Sequence, residues 1–153
     1  MKTYTLISDL HLSEETEETV FSILSYVAKG NDRVAILGDF YDTVYRTGTI
    51  DVRLQKRVYD FFSNNFTKDR LFIIPGNHDI FSSFPGDSAL SVFKQVATVY
   101  DIPTLDEDGI LWLPYRDGGY RKPYIQNFKR SGCRVCFTHN DFKCLEMRKG
   151  LLS

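Results

Sequence analysis

Residues 71–79, Leu71-Phe72-Ile73-Ile74-Pro75-Gly76-Asn77-His78-Asp79, decide the fold. The first four are apolar, which is typical of a strand buried in a parallel sheet. A proline and a glycine then end the strand, and three polar residues follow at once. Residues just beyond the carboxyl ends of parallel strands line the crevice where open α/β sheets bind ligands. This stretch therefore predicts a central strand with a candidate functional site at its end.

Three more apolar runs, at residues 4–7, 34–37 and 135–137, each lead into a polar motif. The motifs are Asp9-Leu10-His11, Gly38-Asp39-Phe40-Tyr41-Asp42 and Thr138-His139-Asn140. Together with residues 76–79 they hold all three histidines of the chain. Asp, His and Asn side chains suit divalent transition metals that take mixed oxygen and nitrogen ligands. The four motifs therefore predict a polynuclear metal site and, with it, a hydrolytic reaction.

Helical patterns separate these strands. Ser13 is a candidate cap for a first helix, in which apolar residues recur at helical spacing until Gly30. Further helices are predicted at residues 51–64 and 88–100, with a short one at 124–130. Because strands and helices alternate, we expect right-handed crossovers, a largely parallel sheet and an α/β fold.

Length and composition are those of one ordinary globular domain, residues 1–153. Hydrophobic residues make up 42% of the chain and charged residues 25%. No apolar stretch approaches the roughly 20 residues of a membrane span. The amino terminus runs from Met1-Lys2 straight into a strand pattern without a signal-peptide core, so a soluble, cytoplasmic protein without membrane contact is expected.

The three cysteines are an odd set, which argues against a disulfide framework. Cys133 and Cys136 have the spacing of a zinc knuckle or a redox pair. They lack a second ligand pair, however, and run into an apolar strand. A buried structural role is the favoured interpretation for them and for Cys144, and metal or redox chemistry is the alternative.

Charge is unevenly distributed along the chain. Residues 1–109 carry 10 Lys and Arg against 17 Asp and Glu, a net of −7, whereas residues 110–153 carry 9 against 3, a net of +6. Carboxylates that hold cations would make the first part acidic. A substrate that bears phosphate would prefer the basic part, although an unevenly charged solvated surface is an equal alternative.

The spacing of the acidic and imidazole side chains indicates how they would act. Asp9 and His11 are two residues apart, so in an extended segment both point to the same side and can hold one ion. Gly38 permits a tight turn that presents Asp39, whose two carboxylate oxygens can bridge two cations. Two such ions clamp both oxygens of an in-line phosphoryl displacement and make hydroxide available near neutral pH.

His78 has a different predicted role. It is adjacent to Asn77 in the chain, so the two side chains do not easily reach the same ion. Asp79 could hold the His78 imidazole in one tautomer. His78 would then protonate the leaving alkoxide or stabilise charge on the phosphate, with Asp79 as its catalytic partner.

With these residues in view, Asp9-x-His11, Gly38-Asp39-x-x-Asp42 and residues 76–79 resemble the calcineurin-like metallophosphoesterase family. The resemblance implies an α/β/β/α sandwich, of which this chain looks like the amino-terminal part, with two divalent ions, often manganese. The implied ligands are Asp9 and His11 for the first ion, Asp39 as the bridge, and Asn77 and His139 for the second. The same resemblance implies that His78 is the catalytic histidine and that Asp42 contacts the ligands rather than an ion.

Within that family, two segments look most like the SbcD-like DNA repair nucleases and their phage relatives. They are Leu113-Pro114-Tyr115 and the stretch from Thr138 to Gly150. A strand that meets a turn is the alternative interpretation of the first. The resemblance implies a DNA exo- or endonuclease, a homodimer and a large coiled-coil ATPase as partner. The basic residues that would meet a DNA backbone are Arg116, Arg121, Lys122, Lys129, Arg130 and Arg134.

One departure from the family pattern is expected to matter. The family closes its site with a Gly-His-x-His motif, and no histidine follows His139 here. Either the chain is a fragment of a longer protein, which its abrupt end favours, or it is a truncation with a weakened site. Two other functions therefore stay open: a phosphoesterase for a nucleotide, cyclic nucleotide or phosphoprotein, and a non-catalytic scaffold.

Overall fold

The computed structural model describes residues 2–42, 44–82, 84, 86–115 and 132–139. Its strands are β1 (Tyr4–Ile7), β2 (Arg33–Leu37), β3 (Leu71–Ile74), β4 (Thr98–Val99), β5 (Thr104–Leu105), β6 (Ile110–Leu113) and β7 (Val135–Thr138). Its helices are α1 (Glu17–Ala28), α2 (Val44–Thr47) and α3 (Val52–Asn65), with 3-10 helices at Asn77–Asp79 and Ala89–Gln95. All four strands that precede a polar motif are confirmed. The helix predicted at residues 124–130 lies outside the described residues.

The strands form two sheets. The first has the order β1-β2-β3-β4, and every neighbouring pair in it is parallel. Its strands β1, β2 and β3 are connected through α1 and through α2 and α3, as the alternating pattern predicts. The second sheet has the order β5-β6-β7, in which β5 and β6 are antiparallel and β6 and β7 parallel.

One face of the parallel sheet packs on the helices. Alternate residues of the central strands, such as Val34 and Ile36 of β2, point to this side. The helices contribute buried side chains at helical spacing, which are Val20 and Leu24 of α1 and Leu54, Val58 and Phe62 of α3. The hydrophobic core of this layer therefore follows the periodicity predicted from the sequence.

The other face of the parallel sheet packs on the second sheet. Trp112 of β6 is fully buried there, and its ring stacks on Phe72 of β3 with a centroid distance of 5.3 Å and on Tyr100 at 4.8 Å. The indole N–H donates a hydrogen bond to Asp106 Oδ2 at 2.8 Å. Helices, parallel sheet and second sheet are three successive layers. They confirm the predicted α/β class and correspond to three of the four layers of the predicted α/β/β/α sandwich.

The helix predicted at residues 88–100 is wrong in its second half. A 3-10 helix, Ala89–Gln95, buries Leu90 and Phe93 as expected. Thr98 and Val99 instead form β4, which pairs with Phe72 and Ile73 of β3. Thr98 and Val99 are both β-branched, and such side chains favour a strand at the open edge of a sheet over a helix.

The first helix begins later than the capping residue predicts. The Ser13 hydroxyl accepts the Thr16 N–H at 3.4 Å, and the Ser13 N–H donates to Thr16 Oγ1 at 2.9 Å. This reciprocal pair closes a turn, and α1 starts only at Glu17. Within the described part of the chain, no helix has the length and apolar composition that crossing a membrane requires.

Candidate metal centre

Three predicted ligands have an unusual backbone conformation. Asp9, His11 and Asp39 have φ angles of 55°, 46° and 50°, and among the described residues they are the non-glycine positions with positive φ. This left-handed conformation is strained for residues that carry a Cβ, and such strain concentrates at functional sites. The segment from Asp9 to His11 is therefore not extended, and the prediction that an extended segment aims both side chains to one side is wrong.

Hydrogen bonds between the strand-end loops hold this strained backbone. The N–H of Asp9 donates to the Gly38 carbonyl at 3.1 Å, and the N–H of His11 donates to the Asp39 carbonyl at 3.0 Å. The Thr16 hydroxyl donates to the His11 carbonyl at 2.7 Å. The loops after β1 and β2 thus continue side by side, and this places Asp9 and His11 next to Asp39.

Two glycines make room for the side chains of the site. A Cβ on Gly38 would lie 2.7 Å from the His139 Cβ and would overlap the imidazole ring. A Cβ on Gly76 would lie 2.9 Å from the Asp39 Cγ. Both distances are shorter than real Cβ contacts, and Gly38 also has a φ of 88°. Each glycine is therefore required by the close approach of a candidate ligand.

Asp39 is the most buried of the candidate ligands, with 4% of its surface exposed. Its Oδ1 accepts the His78 N–H at 2.9 Å, and its Oδ2 lies 3.2 Å from His139 Nε2. Burial by itself would raise the pKa of Asp39. The contacts with His139 and His78 outweigh burial, and the pKa lies below its ordinary value. Asp39 is therefore held as a carboxylate, the form that binds cations.

His139 is oriented by a backbone carbonyl. Its Nδ1 lies 2.8 Å from the Leu37 carbonyl oxygen, so that Nε2 points to Asp39. Burial disfavours the charged ring, but the Asp39 carboxylate outweighs burial and raises the pKa of His139 to about 9. A histidine whose Nδ1–H donates to a backbone carbonyl presents an Nε2 lone pair to an ion once the other proton has left.

The candidate ligands form two groups that share Asp39. One contains Asp9, Asp39 and His139, and the other contains His11, Asp39 and His78. In each group the possible ligand atoms lie within 4.8 Å of one another. The structure thus brings Asp9 and His11 into different groups and places His78 beside His11, with ring centroids 4.9 Å apart.

The chemistry of these side chains fits divalent cations. His11 Nδ1 is buried and has no hydrogen-bond partner, although it lies 3.4 Å from Asp42 Oδ1. These two atoms are not in hydrogen-bond geometry. A buried polar atom without a hydrogen-bond partner destabilises the fold unless another group, such as a cation, binds it. Carboxylate oxygens and imidazole nitrogens around a shared carboxylate are a donor set for two such ions.

Asp79 does not orient His78, contrary to the prediction. The Asp79 carboxylate is fully buried and accepts hydrogen bonds from three backbone N–H groups, those of Phe40, Tyr41 and Gly76, at 3.2, 2.8 and 2.8 Å. Burial raises the pKa of Asp79 to about 6 despite these donors. Asp79 therefore joins the loops after β2 and β3, and none of these three hydrogen bonds involves the His78 ring.

The Asp42 carbonyl takes the role predicted for Asp79. It lies 2.7 Å from His78 Nδ1, which directs the other ring nitrogen of His78 away from the backbone. Sequence reasoning missed this contact, as it missed the Leu37 carbonyl and the Thr16 hydroxyl. Backbone carbonyls carry no signature in a sequence. Only the position of Asp42 in the Gly38-Asp39-x-x-Asp42 motif indicated that it lies close to the ligands.

Asn77 lies where the sequence predicts, at the first position of the 3-10 helix that follows β3, and it is half-buried. It stands directly before His78 at the end of the sheet where the other candidate ligands meet. Asp9 is the exposed member of the site, and its carboxylate accepts a hydrogen bond from the Ser8 hydroxyl. Every candidate site residue thus lies at the carboxyl ends of β1, β2, β3 and β7.

A comparison with known protein families agrees with this arrangement of side chains. A family model described as calcineurin-like phosphoesterase matches residues 2–150. The chain belongs to the calcineurin-like phosphoesterase family. A search of curated proteins found no match for the chain. Membership of this family supports a hydrolase of phosphoesters, and the two ligand groups around Asp39 agree with the divalent metals that the family usually binds.

Proposed function

We propose that this calcineurin-like phosphoesterase is a metal-dependent phosphodiesterase that acts on DNA. The observation that carries the proposal is the pair of groups that share Asp39, one of which contains His78 beside His11. Two cations that share a carboxylate would clamp the attacking and leaving oxygens in the in-line displacement of a phosphodiester.

The residues that would hold the ions follow from the two groups. Asp9 and His139 would bind one ion with Asp39, and His11 would bind the other with the same carboxylate. Asn77, in the turn after β3, would add its amide oxygen to the ligands of these ions. We propose that the ions are manganese. Bound there, they would polarise the phosphate and would lower the pKa of a water molecule, so that hydroxide is available to attack near neutral pH.

His78 would act on the substrate. Because its Nδ1 is anchored on the Asp42 carbonyl, Nε2 is the atom that can carry an exchangeable proton. We propose that Nε2 donates this proton to the alkoxide that leaves the phosphorus atom. Asp42 and Asp79 would not touch the substrate. Asp42 would fix the ring of His78, and Asp79 would fix the two loops that carry Asp39 and His78.

DNA is the proposed substrate on two grounds. The segment Leu113-Pro114-Tyr115 resembles a segment of SbcD-like nucleases. It lies next to the loop after β3, where the Tyr115 N–H donates a hydrogen bond to the Pro75 carbonyl at 2.8 Å. The sequence from residue 110 onward has a net charge of +6, which favours a polyanion. Of its basic residues named above as DNA contacts, only Arg134 is among the described residues.

The test compares two substrates with one protein. We expect the purified protein with manganese to hydrolyse a chromogenic phosphodiester and to degrade DNA, and EDTA or Asp39→Asn to abolish both activities. Hydrolysis of the small diester without any cleavage of DNA would instead select a phosphoesterase for nucleotides or other small substrates. Absence of hydrolysis and of manganese binding would favour a scaffold.

A further inference from the structure

Thr16 lies at the N-cap of α1, but its side chain does not cap the helix. A threonine in this position usually accepts a hydrogen bond from a backbone N–H of the first helical turn. Here the hydroxyl instead donates to the His11 carbonyl at 2.7 Å and accepts the Ser13 N–H at 2.9 Å. The Thr16 side chain therefore holds the loop that carries His11 rather than the helix that follows.

His11 is held by hydrogen bonds on both sides of its backbone. Its N–H donates to the Asp39 carbonyl at 3.0 Å, and its carbonyl accepts the Thr16 hydroxyl. The φ angle of His11, 46°, is in the left-handed region, which is strained for a residue with a Cβ. Such a conformation persists only where the surrounding contacts hold it. The Thr16 hydroxyl supplies one of these contacts.

The direction of the His11 ring depends on this backbone. Within the described part of the chain, the buried Nδ1 of His11 forms no hydrogen bond, and the ring packs edge-on against that of His78. The ring of His139, in contrast, is oriented by its own contact with the Leu37 carbonyl. A change in the backbone of His11 should therefore redirect its imidazole, because no hydrogen bond holds Nδ1 in place.

The two groups of candidate ligands differ in their relation to Thr16. The hydrogen bonds of the Thr16 side chain go to His11 and Ser13. His11 belongs to the group that contains Asp39 and His78, and neither His11 nor Ser13 belongs to the other group. Loss of the Thr16 hydroxyl should therefore affect one ion and spare the other.

We propose that Thr16 is a positioning residue for one of the two ions. Through the His11 carbonyl, its hydroxyl fixes the direction of the His11 imidazole and so sets the affinity of the ion that His11 and Asp39 share. The inference rests on the proposed function, in which His11 binds that ion. It adds to the site a residue of the α1 cap that touches neither the ions nor the substrate.

Calorimetric titration of Thr16→Val with manganese tests this role. Valine has nearly the shape of threonine but lacks the hydroxyl. We expect the variant to bind one ion like the wild type and the other about tenfold more weakly, which is the lower end of the loss when a group that orients a ligand is removed. The substitution leaves the charge unchanged, so the effect on cations of the acidic residues that flank Thr16 in the chain is retained; these are Glu14, Glu15, Glu17 and Glu18.

Electron paramagnetic resonance of the bound manganese is the second readout. Two manganese ions that share a carboxylate couple magnetically, so the wild type with two equivalents of manganese should give a coupled spectrum. At the same concentrations, Thr16→Val should give mainly the signal of uncoupled ions. Neither this spectrum nor the titration depends on hydrolysis.

Two further variants make the test specific. Thr16→Ser keeps the hydroxyl and should recover most of the affinity that Thr16→Val loses. Thr19→Val makes the same chemical change at an exposed position of α1 and should leave both affinities unchanged. Urea unfolding of each variant shows whether the fold is retained.

The proposal is overturned if Thr16→Val binds both ions like the wild type, if it weakens both equally, or if Thr16→Ser behaves like Thr16→Val. A wild type that binds a single ion also overturns it. So does a Thr16→Val variant that fails to fold, because the hydroxyl would then serve the fold as a whole.

Hydrolysis of a chromogenic phosphodiester, measured in parallel, separates this role from the proposed function. If the wild type binds two ions and Thr16→Val weakens one of them, but neither hydrolyses the diester, the proposed function fails and the role of Thr16 stands. If the wild type hydrolyses the diester and Thr16→Val binds both ions unchanged, only the role of Thr16 is lost.

Discussion

The Nε2 of His139 lies 3.2 Å from the Oδ2 of Asp39, although 100 residues separate them in the chain. His139 follows β7 of the second sheet, and Asp39 follows β2 of the parallel sheet. The candidate site is therefore built across the two sheets, and a change that separates the sheets should also open the site.

Substitution of Gly38 should test this close approach. Gly38→Ala forces a Cβ against the His139 ring, whereas Gly109→Ala imposes a similar left-handed strain at a φ of 76° with no atom within 4 Å. Both variants should lose about 1 kcal/mol of unfolding free energy from the backbone strain. Only Gly38→Ala should also weaken manganese binding, by at least about tenfold. Urea unfolding and calorimetric titration measure the two effects, and equal manganese affinity in both variants would contradict the proposed fit.

Asp79→Asn should primarily destabilise the protein. One carboxylate oxygen becomes an amide that cannot accept the backbone N–H groups now bound to it, so the unfolding free energy should fall by about 1–3 kcal/mol. Urea unfolding measures this loss, and Asp87→Asn, at an exposed acid, is the matched control. An Asp79→Asn variant of wild-type stability with no activity would return Asp79 to a role in orienting His78.

His78→Gln should separate catalysis from metal binding. Loss of the proton donor should lower kcat by about 100-fold or more, while manganese stays bound. Steady-state kinetics on a chromogenic diester and calorimetric titration of the same preparation give both values. Retained cleavage would remove His78 as the catalytic residue, and loss of manganese would make it a ligand in the group of His11 and Asp39.

Cys136 should react slowly with thiol reagents at neutral pH. Burial raises the pKa of Cys136 to about 11, and the neighbouring Cys133 adds to the shift. At pH 8 the fraction of Cys136 present as thiolate in the folded protein should therefore be about a hundredfold lower than that of an ordinary cysteine. Because the thiolate is the reactive form, the rate should rise about tenfold for each pH unit and level off only near pH 11.

The measurement uses a chain in which Cys133 and Cys144 are replaced by serine, so that it tests burial, the larger cause of the raised pKa of Cys136. Its reaction with a chromogenic disulfide reagent is followed against pH, with the urea-unfolded chain as reference. A folded protein that reacts as fast as the unfolded one at pH 8 would support the redox alternative for this pair of cysteines.

The positions of the candidate ligands were predictable because each follows an apolar strand. The parallel strands β1, β2 and β3 end at one edge of their sheet, so the three motifs that follow them meet there. The fourth motif follows β7 of the second sheet and reaches the same point because the two sheets pack on each other. The sequence also predicted α3 within one residue at each end, from the helical spacing of its apolar residues. Asp51, which the prediction placed inside the helix, caps it instead, and its Oδ1 accepts the Arg53 N–H at 2.7 Å.

Interactions between distant segments were not predictable. The burial of Asp79 against three N–H groups depends on how the loops after β2 and β3 approach each other. Likewise, Thr98 and Val99 became a strand because β3 leaves an open edge beside them. The positive φ angles at Asp9 and Asp39 also result from packing, because aspartate can adopt several conformations after a strand.

Calorimetric titration with manganese, for the wild type and Asp39→Asn, tests the central claim most directly. The account predicts that the wild type binds two ions per chain and that Asp39→Asn, which neutralises the shared carboxylate, binds neither tightly. Two ions bound to Asp39→Asn with unchanged affinity, or no ion bound to the wild type, would contradict the claim that the strand-end residues form a site centred on Asp39.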